Sequence, residues 1–163
     1  KFAQTVGNII DAAGIDARRL EFELTETAIM SNVEDIERCM QVIRELGPTF
    51  SLDDFGTGYS SFAHIQRLPI GALKIDRSFV KNVNTTHDDA TIVKAMISLA
   101  HNLGLKVIAE GAETGEQVDF LRDHACDQVQ GYFFSRPLPL VDLLEKIQRT
   151  FMPASSATAS LTL

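Results

Sequence analysis

The stretch Thr49-Phe50-Ser51-Leu52-Asp53-Asp54-Phe55-Gly56-Thr57-Gly58 decides how this chain of 163 residues is expected to fold. Residues 49–53 have the composition of a β-strand, two acids end it, and the glycines that follow stop it. The alternation places Leu52 toward covering helices and Asp53 on the opposite face. A charged side chain on an inward face needs a partner or a metal ion. The stretch therefore predicts a strand whose carboxyl end carries chemistry.

Further strands and helices alternate on both sides of this stretch. Four other segments are predicted as strands: Leu20–Leu24, Leu73–Asp76, Lys106–Glu110 and Gln128–Tyr132. Apolar residues at helical spacing separate them, and one of these helices starts at a capping pair formed by Thr114 and Gln117. Strict alternation predicts a parallel sheet with crossover helices. Both an open doubly wound sheet and a (β/α)8 barrel satisfy that pattern.

Polar residues at the strand ends favour the barrel. Six of them lie at or just after the carboxyl ends of the predicted strands: Glu23, Asp53, Asp54, Lys74, Glu110 and Gln130. The carboxyl end of a (β/α)8 barrel is where such folds carry their active sites. Carboxylate and amide oxygens suit Mg²⁺ or Mn²⁺, and two adjacent acids can bridge a pair of ions. We therefore expect a two-metal site at this rim.

Five blocks of the sequence resemble the EAL family in order and spacing. They are residues 22–27 (FELTET), 53–61 (DDFGTGYSS), 73–80 (LKIDRSFV), 107–114 (VIAEGAET) and 130–138 (QGYFFSRPL). The resemblance covers the chain to about Arg149 and implies an α/β fold, a (β/α)8 TIM barrel of EAL type present as its last five βα units. The barrel is expected to occupy residues 1–152, followed by a disordered tail over residues 153–163. The Glu-Ala-Leu motif of the family is expected upstream of Lys1, and so is the next strand, which carries an Asn.

The resemblance also implies roles for individual residues. It implies metal ligation by Glu23, Asp53 and Asp54, and catalysis by Lys74 and Glu110. It also implies substrate binding by Glu113 and Gln130. Glu26 is expected to anchor a regulatory loop at the dimer interface, which comprises Phe55, Gly56, Thr57, Gly58, Tyr59, Ser60 and Ser61. The implied reaction is hydrolysis of one phosphodiester of cyclic-di-GMP to linear pGpG with two Mg²⁺ or Mn²⁺ ions. Without the two upstream ligands, the isolated 163-residue chain is expected to be inactive.

Two other functions remain open at this point. A non-catalytic EAL-like receptor would bind cyclic-di-GMP or a protein partner without turnover. An enolase-like barrel would use Lys74 to abstract a carbon-bound proton. The first is disfavoured because the Asp pair, Lys74 and Glu110 are all present, and degenerate family members usually lose one of these groups.

Composition limits the partners. The net charge of −7 argues against a DNA-binding surface, and no apolar run is long enough to span a membrane. The two cysteines, Cys39 and Cys126, are expected to stay reduced in a cytoplasmic protein. The resemblance implies a homodimer, and an upstream sensory or cyclase domain is compatible with it.

Overall fold

Five parallel strands form a single sheet in this computed structural model, which describes residues 1–30, 32–56 and 65–151. The strands are β1 (Glu21–Thr25), β2 (Thr49–Phe55), β3 (Ala72–Ile75), β4 (Lys106–Ala109) and β5 (Gln128–Val129). Each strand pairs in parallel with the next one along the chain. A doubly wound sheet reverses its strand order at a switch point. The unbroken order is that of a barrel segment, as predicted.

Helices connect and flank the strands. They are α1 (Phe2–Ala13), α2 (Glu26–Met30), α3 (Val33–Glu45), α4 (Arg77–Val80), α5 (His87–Asn102), α6 (Gly115–Asp123) and α7 (Leu140–Phe151), with a 3₁₀ helix at Ala17–Arg19. The predicted capping box of α6 is confirmed, because Thr114 and Gln117 bond reciprocally to each other's backbone amides. Gly14, in a left-handed conformation with φ 62°, ends α1.

The core lies between the sheet and the helices. Leu52, Leu73, Ile75 and Val107 are fully buried, as their alternation along the strands predicts. They pack with buried residues of α5, including Val93. No helix within the described ranges is long and apolar enough to cross a membrane.

The last strand is shorter than predicted. The sequence pattern suggested a strand over residues 128–132, but pairing ends at Val129. Gly131 passes so close to Ala112 that a Cβ there would lie 2.1 Å from the Ala112 carbonyl oxygen. The chain then turns, since the Phe134 amide donates to the Gly131 carbonyl at 3.1 Å. Close packing against the preceding loop therefore replaces strand pairing after residue 129.

Candidate active site

Lys74 lies at the centre of a charged cluster at the carboxyl end of the sheet. Its Nζ is 2.6 Å from Glu23 Oε1, 2.6 Å from Glu110 Oε1 and 3.1 Å from Asp53 Oδ1. The Lys74 side chain is only 5% exposed, whereas that of Glu23 is 53% exposed. These four residues belong to four consecutive βα units, so the structure brings them together as the barrel topology predicts.

The carboxylates keep Lys74 charged. Burial lowers the pKa of the Lys74 ammonium, but the neighbouring carboxylates of Glu110, Glu23 and Asp53 outweigh burial and raise that pKa above its ordinary value. A permanent cation can neutralise anionic oxygens and donate hydrogen bonds to them. It is poorly suited to abstract a carbon-bound proton, so this arrangement gives no support to the enolase-like alternative.

One carboxylate oxygen of Asp53 accepts no hydrogen bond. Its Oδ1 is buried and makes no contact of hydrogen-bond geometry, although Lys74 Nζ lies 3.1 Å away. The contact is ionic, because Lys74 Nζ approaches this oxygen from a direction that does not suit a hydrogen bond. A buried carboxylate oxygen left in this way is costly unless something else satisfies it. A divalent cation would do so.

Asp54 follows in an unusual backbone conformation. The pairing of β2 with β3 is irregular between Leu52 and Phe55, and Asp54 has a positive φ of 54°. Asp tolerates this region better than most residues. Burial, followed by repulsion from Asp53 and Asp76, raises the pKa of the Asp54 carboxyl. The irregularity thus keeps two successive acids at one strand end, where they repel each other.

Glu110 is held by a second partner. Gln130 Nε2 donates to Glu110 Oε1 at 2.7 Å, which is the same oxygen that contacts Lys74. Glu110 also lines a cavity of about 610 Å³ together with Glu113 and Gln130, the two residues predicted to bind substrate. The structure therefore places Glu110, which is predicted to be catalytic, and the two predicted substrate-binding residues around one opening.

Residues without a predicted role also line this cavity, among them Arg77 and Tyr132. The Arg136 guanidinium stacks over the Tyr132 ring at 4.6 Å. Arg77 lies three residues after Lys74, just beyond the end of β3, and that position could have indicated it. Tyr132 was assigned to a strand, so its place in a turn beside the cavity was not anticipated.

Glu26 is buried at the start of α2, directly after β1, with 4% of its surface exposed. Helix α2 packs against both β1 and β2. Phe55 is buried at the end of β2, and Gly56 approaches Met96 and Phe79 closely. Thr57, Gly58, Tyr59, Ser60 and Ser61 lie outside the described residues, as does the predicted tail over residues 153–163.

The donor set can be compared with what a divalent ion needs. Within residues 1–30, 32–56 and 65–151, no group of three or more His, Cys, Asp or Glu side chains surrounds a common metal position. Three carboxylates converge on Lys74 Nζ instead. Their oxygens, including the Asp53 Oδ1 that accepts no hydrogen bond, are of the chemical type that Mg²⁺ and Mn²⁺ prefer. These residues fit such ions as part of a ligand set.

Curated relatives are similar to this chain in sequence. The cyclic di-GMP phosphodiesterase NbdA of Pseudomonas aeruginosa is 46% identical over 156 residues, which is 96% of this chain and 20% of the relative. The oxygen sensor protein DosP of Escherichia coli is 41% identical over 138 residues, covering 85% of this chain and 17% of the relative. The chain thus spans about a fifth of the length of the curated relatives that it matches.

Solved structures agree with the fold. The PaMucR phosphodiesterase in complex with c-di-GMP matches with a TM-score of 0.82 and 37% identity, over 86% of this chain and 57% of that one. The EAL domain of Mycobacterium smegmatis DcpA matches with a TM-score of 0.84 and 32% identity, over 91% of this chain and 66% of that one. The family model for the EAL domain matches residues 1–137. Sequence, fold and family model agree, and the chain belongs to the EAL domain family.

Proposed function

We propose that this chain forms the catalytic rim of a phosphodiesterase that hydrolyses one phosphodiester bond of cyclic-di-GMP and releases linear pGpG. The observation that carries the proposal is the cluster of Glu23, Asp53 and Glu110 around the buried Lys74 beside an open cavity. A relative named for this activity and a solved neighbour in complex with c-di-GMP support the choice of substrate.

Two Mg²⁺ or Mn²⁺ ions are part of the proposal, with Glu23, Asp53 and Asp54 among their ligands. When bound, such ions would polarise a phosphoryl oxygen and make a water molecule more acidic. The chain's own negative residues need this positive charge, because a net charge of −7 would otherwise repel a phosphodiester.

The remaining residues would orient the reacting groups and transfer protons. Lys74 stays positively charged and donates hydrogen bonds to a phosphoryl oxygen or to the attacking water. Glu110 accepts the proton of that water, and Gln130 fixes the carboxylate through Oε1. Glu113 and Gln130 line the opening where the nucleotide would bind. The presence of all these groups favours an enzyme that hydrolyses its ligand. A receptor would need only to bind it.

Assembly and location complete the proposal. Curated relatives about five times as long as this chain are compatible with an upstream sensory or cyclase domain. The loop over residues 55–61 would contribute to a homodimer. Both cysteines are free, which suits the cytoplasm.

Product analysis tests the proposed reaction. We define the completed domain as this chain extended by the part of the Mycobacterium smegmatis DcpA EAL domain that the match leaves uncovered, since the chain covers 66% of that domain. Incubation with cyclic-di-GMP and Mg²⁺, followed by chromatography, should show pGpG as the product. A folded completed domain that binds cyclic-di-GMP but leaves it intact would favour the receptor.

Replacing Glu26 with Ala should weaken metal binding although Glu26 is not proposed as a ligand. The buried carboxylate lies where α2 meets β1 and β2, so its loss should loosen the strand end that carries Asp53. We expect the half-saturating Mg²⁺ concentration of the completed domain to rise about tenfold, equivalent to ~1.4 kcal/mol. Glu45→Ala, at an exposed acid ending α3, is the control. Unchanged Mg²⁺ dependence and turnover in Glu26→Ala would remove the anchoring role.

A further inference from the structure

The side chain of Gln117 makes more bonds than a helix cap requires. It is 7% exposed, and its Oε1 accepts from the backbone amides of Glu113 at 2.7 Å and Thr114 at 3.0 Å. Only the Thr114 bond belongs to the capping box. Its Nε2 donates to the Lys81 carbonyl at 2.9 Å, across 36 residues of sequence. All the polar atoms of a buried amide are thus used.

The loop that Gln117 holds carries Glu110 and Glu113. The Glu110 amide donates to the Ile75 carbonyl at 3.0 Å, and the Ala112 amide donates to the Gln130 carbonyl at 3.2 Å. Gly111 passes so close to α4 that a Cβ there would lie 2.4 Å from the Arg77 Cβ. The first half of the loop is therefore held by β3, by α4 and by Gln130, which follows β5. Its second half is held by Gln117.

Lys81, at the other end of this bridge, belongs to the βα unit of Lys74. Helix α4 follows β3 directly, and Lys81 is its C-terminal cap residue. The Gln117 amide therefore joins the two units whose side chains meet in the contact of 2.6 Å between Lys74 Nζ and Glu110 Oε1. The contact between Lys74 and Glu110 joins the two units at the carboxyl ends of their strands. The hydrogen bond between Gln117 and Lys81 joins the same units at the residue that ends α4.

We propose that Gln117 is a positioning residue that sets the placement of Glu110 and Glu113 relative to Lys74. It acts through the loop backbone and through the Lys81 carbonyl, and it does not touch the substrate. The effect of Gln117 on the placement of these side chains does not depend on the proposed function, whereas its effect on catalysis rests on the proposed phosphodiester hydrolysis. Two substitutions separate its contacts: Gln117→Ala removes all the side-chain bonds, whereas Gln117→Glu keeps the acceptor for both amides and loses the donor to Lys81.

Amide hydrogen exchange and the Lys74 ammonium signal, both followed by NMR in the 163-residue chain, test the structural part. In Gln117→Ala, exchange at the Glu113 and Thr114 amides should accelerate about tenfold or more, since an amide without its acceptor opens readily. The Lys74 ammonium protons should also exchange faster. In Gln117→Glu both amides should stay protected. Gln41→Ala, at an exposed position of α3, is the control. Unchanged amide and ammonium exchange in a folded Gln117→Ala would overturn the proposal.

Kinetics of the completed domain test the catalytic part. Gln117→Ala should lower kcat by about tenfold to a hundredfold, because small misplacements of catalytic groups are costly. The KM for cyclic-di-GMP should change less, and Gln117→Glu should recover part of kcat. An unaltered kcat together with faster exchange would leave Gln117 as a helix cap only and overturn the positioning role. If the parent itself shows no hydrolysis, the proposed function fails, and the Lys74 ammonium signal alone decides whether Gln117 positions this cluster.

Discussion

Replacing Asp53 with Asn should reduce turnover of cyclic-di-GMP by the completed domain to below a tenth of the parent value. Asn has nearly the same shape but lacks the negative charge and the second anionic oxygen needed to bridge two cations. The Asp53 Oδ1 atom also lies 3.1 Å from Lys74 Nζ, so a neutral amide at this position would weaken that ionic contact as well. Initial rates at saturating Mg²⁺, measured by product chromatography, check the prediction.

Asp123→Asn is the matched control for this substitution. It makes the same chemical change at an exposed residue at the end of α6, and its rate should equal that of the parent. If Asp53→Asn keeps more than about a tenth of the parent's turnover, the barrier has risen by less than ~1.4 kcal/mol. A bridging role for Asp53 would not survive that result.

Lys74→Met should have the second large effect, on both activity and stability. Met fills a similar volume but leaves Glu23, Asp53 and Glu110 without their shared cation. Loss of a donor aimed at developing charge typically lowers kcat by about 10²–10³-fold. The free energy of unfolding of the metal-free chain should fall by about 1–3 kcal/mol. This is less than for a fully buried ion pair, because the three carboxylates are 21–53% exposed.

Denaturant titration with and without Mg²⁺ measures that loss. Mg²⁺ should stabilise Lys74→Met more than the parent, since the ion can replace the missing positive charge. Lys106→Met serves as the control, because Lys106 is exposed and begins β4 at the opposite end of the sheet. Equal stability of Lys74→Met and Lys106→Met would mean that the carboxylates do not depend on Lys74.

The site was predictable where strand periodicity determined it. Alternation along β2 and β3 placed Leu52 and Leu73 in the core and Asp53 and Lys74 on the other face, and both placements are confirmed. Parallel strands bring their carboxyl ends to one edge, so the meeting of Glu23 and Glu110 at Lys74 followed from topology. What periodicity could not supply was the distances, which make Lys74 the centre of the cluster.

Features that depend on close packing were not predictable. The left-handed conformation of Asp54 leaves no signal in the strand periodicity. The early end of β5 at Val129 accompanies the close packing of Gly131 on Ala112. Gln117 was recognised as a capping residue from its spacing to Thr114. Its reach to Lys81 depends on how two βα units pack, and sequence spacing carries no information about that contact.

Hydrolysis of cyclic-di-GMP by the completed domain, compared with that of the isolated chain, tests the central claim most directly. Both proteins should be assayed at equal concentration with Mg²⁺, Mn²⁺ or Ca²⁺, after circular dichroism has established that each is folded. We expect pGpG from the completed domain with Mg²⁺ or Mn²⁺, little product with Ca²⁺, whose looser coordination suits the reaction poorly, and no measurable product from the isolated chain. A folded completed domain that forms no pGpG with any of the three ions, or an isolated chain that forms it as fast, would contradict the account.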